Sequence, residues 1–167
     1  MTLLLSAIGA TVMAVLDVTL SGRYLAIGSA APHLVLVLGV VWTIAAGIEQ
    51  GVVWAFVGGL VLDALLARPL GSTAFALLVA VGGARLIAQP FRRLRLAAPV
   101  VAVPLLSLVY SMLVLVLGST GQGAGTVADP IGLFLPGIAY DFVLGVIVGP
   151  LIVSVHDRRL VVERVDW

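Results

Sequence analysis

Asp17, Asp63, Arg85 and Asp141 stand inside long apolar runs, where an ionisable side chain has to be bonded, paired or put to use. On insertion scales each costs about 2.5–3.5 kcal/mol at the centre of a membrane helix. Asp17 and Arg85 fall near the ends of their runs, where the cost drops and an arginine can reach back to the interface. Asp63 and Asp141 lie deeper and are the more informative pair. Such acids can hydrogen-bond neighbouring helices, form a proton or substrate site, or contact a partner's helix. The first reading is favoured, because a proton relay strings several acids or histidines along one path and these acids sit on separate segments.

Other chemistry has little to work with. There is no H-E-x-x-H, Walker or G-x-S-x-G pattern, and His33 and His156 are far apart in the sequence. Without cysteine there are no disulfides, thiolates or Cys-based metal sites, and no cofactor is expected. Ser72, Thr73, Ser107 and Ser111 show no base beside them, so their hydroxyls are expected on their own backbone. Trp42 and Trp54 read as packing residues, and Trp167 as an interfacial one.

The elements that must hold these residues follow from composition. Of 167 residues, 62% are hydrophobic and 10% charged, and mean hydropathy is +1.24. That is too little charge for a water-soluble surface and too much apolar content for disorder. A net charge of +1 leaves no basic field for nucleic acid. The bilayer is the solvent that suits this chain.

Six stretches are apolar enough to cross it: 2–20, 32–48, 51–67, 70–88, 95–117 and 130–155. The fold class expected is therefore an all-α membrane protein, one six-helix bundle over 1–155 with a short tail over 156–167. Glu49-Gln50 reads as a tight turn between the second and third segments, Arg68-Pro69 as a break, and 118–125 as a glycine-rich loop. The first stretch has no basic residue ahead of it and holds Asp17, so it reads as a membrane helix rather than a cleaved leader.

Arginine placement orients the bundle. Arg85, Arg92, Arg93 and Arg95 share a side with Arg158, Arg159 and Arg164, against Arg23 and Arg68 on the other. The first group marks the cytoplasmic side and puts both termini there. Arg92, Arg93 and Arg95 form a basic patch that anchors topology and can also meet anionic lipid or an acidic partner.

Small residues surround the two deep acids. Gly51, Ala55, Gly59, Asp63 and Ala67 recur at every fourth position, as do Gly137, Asp141, Gly145 and Gly149. Residues four apart share a helix face, and small faces let membrane helices approach closely. Ser6, Ala10 and Ala14, with Asp17 one turn on, form a weaker stripe. The expectation is that the first, third and sixth helices close on one another, with their acids sheltered and a polar region toward the outer side.

The segment from Pro32-His33-Leu34 through Gly51 and Gly59-Leu60-Val61-Leu62-Asp63 to Pro69-Leu70-Gly71 resembles the MreD family of the bacterial rod-shape system. Asp63, Pro69 and Gly71 fall on motif positions, while His33 stands where an acid is common. Asp17, Asp141 and the cytoplasmic arginines match no family motif.

The resemblance implies a non-enzymatic scaffold in the bacterial cytoplasmic membrane, acting in cell shape and lateral peptidoglycan synthesis. It implies the MreC transmembrane helix as partner, with RodA, a class B penicillin-binding transpeptidase and MreB as further members of the assembly. The family also resembles the S components of energy-coupling-factor transporters, whose docking faces are similar to the Ala10/Ala14 pair. The alternative it implies is thus a vitamin-type binding protein; the short loop at 21–31 favours the scaffold.

Overall fold

The computed structural model describes residues 2–21, 31–89, 97–119 and 130–163. Its elements are helices: α1 (Thr2–Leu16), running on into one wide π turn (Asp17–Ser21), α2 (Leu34–Ala46), α3 (Ile48–Leu65), α4 (Ser72–Ala88), α5 (Ala98–Ser119) and α6 (Pro130–Glu163). Helix is the form that bonds every backbone group within its own segment, as lipid requires. Among the described residues, four helices are long and apolar enough to cross a membrane, whereas α2 and α4 are shorter.

The short helix α2 is the core. It packs against each of the other five helices, and none of its residues is exposed. Around it, α1 packs on α3, α3 on α4, α4 on α5 and α5 on α6, while α6 closes back onto α2. The outer helices turn large apolar side chains outward, among them Leu4 and Ile8, Phe56, Phe75 and Leu86, Leu105, Phe142 and Ile147. In water that surface would be a liability; in lipid it is the solvated face.

Two boundaries differ from those read in the sequence. The α2–α3 break is Gly47, whose positive φ of 101° suits a residue without Cβ, so Glu49 and Gln50 belong to the first turn of α3. An acid there complements the positive end of the helix dipole. At the other end, α6 continues as helix to Glu163, through much of the stretch expected to be a tail. Arg92, Arg93 and Arg95 and the glycine-rich loop from 120 to 125 lie outside the described residues.

Small residues set the helix spacings. A Cβ on Gly59 would lie 2.2 Å from Ala74 Cα, and one on Gly51 would lie 2.1 Å from Thr43 Oγ1. On α6, Gly145 faces Val103 and Gly149 faces Pro99, both on α5. The small stripe of α6 therefore seats α5 rather than α1 or α3, and α2 stands between α6 and α3. Ala10 of α1 meets Gly58, one position off the stripe read from the sequence. Trp54 fills a slot that a Cβ on Gly9 or Gly39 would reach at 3.0 and 2.9 Å.

Gly59→Ala is expected to lower stability by at least the 1–3 kcal/mol typical of an overpacked core, since the clash is with backbone. Gly82→Ala, with nothing within 4 Å of the added carbon, should be neutral or gain up to about 1 kcal/mol from helix propensity. Thermal unfolding of the two variants in one mild detergent checks both; equal melting points would refute the close α3–α4 approach.

Candidate helix-capping site

A 13-residue helix is about 20 Å long, and the hydrocarbon core is about 30 Å thick. Helix α2 by itself is therefore too short to cross that core. At every helix start the first N–H groups have no partner within the helix, and lipid supplies none. The same holds, less severely, for the 17-residue α4. Side chains from other segments must do the capping, and in this chain they are the aspartates.

Asp63 caps α4. One carboxylate oxygen accepts the Gly71 N–H at 2.8 Å and the other accepts the Thr73 N–H at 3.0 Å. Ser72 Oγ adds a bond at 3.2 Å. The backbone cooperates: Leu66 N–H donates to Leu62 O and Arg68 N–H to Asp63 O, with Ala67 at φ 51°. That is a helix stop with a left-handed residue after the cap, here alanine where glycine is usual. Asp63 thus closes α3 with its carbonyl and opens α4 with its carboxylate. Gly71, at φ 94°, is the left-handed corner that lets the chain present its N–H to Asp63. Thr73 Oγ1 is the buried side-chain polar atom left unpaired here.

Two acids serve α2. Asp17, in the π turn, accepts the Val35 N–H at 3.2 Å on one oxygen and the Ser21 hydroxyl at 2.7 Å on the other. Asp141, from the twelfth residue of α6, accepts the His33 N–H and bonds His33 Nδ1, each at 2.8 Å. Ser107 Oγ of α5 donates to the same carboxylate. Tyr110 lies edge-on to the His33 ring, with centroids 5.3 Å apart. Negative charge at a helix N-terminus also matches the dipole.

Asp63 and Asp141 have no exposed surface, so neither meets lipid. Gly51, Ala55, Gly59, Gly137, Gly145, Gly149, Ala10 and Ala14 are buried as well. Asp17 and Asp141 both reach the start of α2, and Asp63 serves the start of α4. Arg85 is exposed in the last turn of α4, the favourable end of that helix for a cation.

Sequence reasoning missed the serines' role. Ser72 and Ser107 bond the two carboxylates, whereas Thr11, Thr43 and Ser154 bond backbone carbonyls of their own helices, as expected of membrane hydroxyls. The order Ser107–Asp141–His33 puts the acid in the middle, so no base faces the serine and the arrangement is not a nucleophile triad. Among the described residues no three His, Asp or Glu side chains form a metal-binding group. Gly9, Gly39 and Gly58 carried no sequence signal beyond being glycines.

A family model described as rod shape-determining protein MreD matches residues 1–155. Comparison with curated proteins gave no match, and neither did comparison with solved structures.

Asp63→Ala leaves the Gly71 and Thr73 amides without acceptors and should cost about 1–3 kcal/mol, the range for a lost cap and stranded buried donors. Asp63→Asn retains one acceptor oxygen and should cost less. Amide hydrogen exchange at the start of α4 reads this directly: protection there should fall in the order wild type, Asn, Ala. Unchanged exchange in the alanine variant would show that Asp63 does not hold that helix start.

Proposed function

This chain belongs to the MreD family, a family of rod shape-determining membrane proteins, and on that footing we propose that it is a non-enzymatic scaffold that grips the MreC transmembrane helix. The observation that carries the proposal is the family match across nearly the whole chain. In this reading RodA, a class B penicillin-binding transpeptidase and MreB join the same assembly, both termini are cytoplasmic, and lateral wall synthesis is the output.

The bonding of the acids supports a scaffold. Asp63 and Asp141 have their oxygens taken up by amides, hydroxyls and an imidazole of the protein itself. They stiffen the bundle instead of waiting for a substrate. The outward face, rich in leucine and valine on every helix but α2, with phenylalanine on α3, α4 and α6, offers a partner helix extended apolar contact. Helix association in lipid rests on such packing, with each polar contact worth about 0.6–2 kcal/mol.

Co-purification with MreC from bacterial membranes in mild detergent tests the proposal. The expected result is recovery of MreC with the wild-type chain, and lower recovery with Asp63→Asn, which weakens the α4 cap while the variant still inserts. Co-purification of a bound vitamin or a transporter coupling subunit in place of MreC would overturn it and favour the S-component alternative.

A further inference from the structure

His33 joins the centre of the bundle to its rim. Its backbone N–H and its ring Nδ1 both engage Asp141 of α6, and its ring meets Tyr110 of α5. The two halves of the pair differ in access: the Asp141 side chain has no exposed surface, while that of His33 keeps 35%. The imidazole is thus the open member of the pair, while the carboxylate stays enclosed among its donors. Histidine is the side chain whose ordinary titration falls in the physiological range.

We propose that His33 is a proton-responsive latch between α2 and α6. With an imidazolium the latch is an ion pair reinforced by hydrogen bonds; with a neutral ring it is a hydrogen bond alone, and charge-assisted bonds are the stronger kind. The groups that face His33 set the sign. Asp141 touches it from α6, Asp17 acts from the π turn, Arg68 from beyond α3, and Tyr110 abuts it from α5. Two carboxylates oppose one guanidinium, so proton uptake tightens the mouth of the bundle and proton loss loosens it. Because α2 contacts every other helix, loosening its first turn is felt throughout. The latch is a property of the folded chain and holds whichever partner binds.

The test uses the full chain in nanodiscs of uncharged phosphatidylcholine, unfolded by heat at about pH 5.5 and about pH 8, on either side of the ordinary histidine range. Wild type is expected to melt about 2–4 °C higher at the acid pH. His33→Asn, which keeps an N–H donor near the Nδ1 position and does not titrate, should lose that difference. The same difference in His33→Asn, or none in wild type, overturns the latch. Should His33→Asn fail to fold, ring resonances of a His156→Gln chain, which leaves His33 as the single histidine, decide the matter. Titration of that ring alongside the change in melting temperature supports the latch, and a ring that stays in one state across the range overturns it.

Discussion

A helix start leaves amide hydrogens that its own segment cannot bond, and this constraint organises the molecule. Helix α2 is too short to span, and it sits at the centre, touching every other helix. Its first turn is satisfied by Asp17 from the element before it and Asp141 from the last helix of the bundle. Helix α4 is satisfied by Asp63, which belongs to the helix just before it. Each acid spends its charge on backbone donors that lipid would otherwise leave unbonded, which is why carboxylates are tolerated at such depth.

Close packing follows from the same arrangement. A carboxylate on one helix reaches the amides of another only if the two backbones approach closely, and Gly59 against Ala74 makes that approach for α3 and α4. Gly145 and Gly149 do the same for α6 on α5, which brings Ser107 to Asp141. On the far side of α3, Trp54 fills the slot between Gly9 and Gly39 and bonds the Val35 carbonyl at 3.1 Å. Val35 thus gives its N–H to Asp17 and its carbonyl to Trp54, so α1 and α3 both hold the first turn of α2. At the opposite end Ser6 bonds Trp42 and Gln50, tying α1 to α2 and α3. The result is a bundle pinned at both ends, with an apolar exterior suited to lipid.

Much of this was legible in the residues. Composition alone placed the chain in lipid, and the apolar runs located the six helices, although α6 runs on to Glu163 where its apolar run ends at 155. The depth of Asp63 and Asp141 in stripes of glycine and alanine marked them as sheltered, because facing lipid with a carboxylate is too costly. The family pattern from Pro32 to Gly71 also holds together physically: Asp63 and Gly71, eight residues apart, are the two halves of one cap. Other features were not legible. Glu49 and Gln50 look like a turn by polarity, but the turn is made by Gly47, and polarity carries no record of φ. Ser72 and Ser107 look like ordinary backbone-bonded hydroxyls until their distant acids are in place.

The sequence by itself determined the solvent, the class of fold, the helix positions and which acids could not face outward, because each depends on the transfer of local groups from water to lipid. Only the tertiary structure decided which helix each acid serves. The pairing of His33 with Asp141 joins residues 108 positions apart, and periodicity along one helix says which face is small without saying which neighbour will lie against it. That choice belongs to the packing of the other five helices around α2, where an amide in need and a carboxylate in need meet.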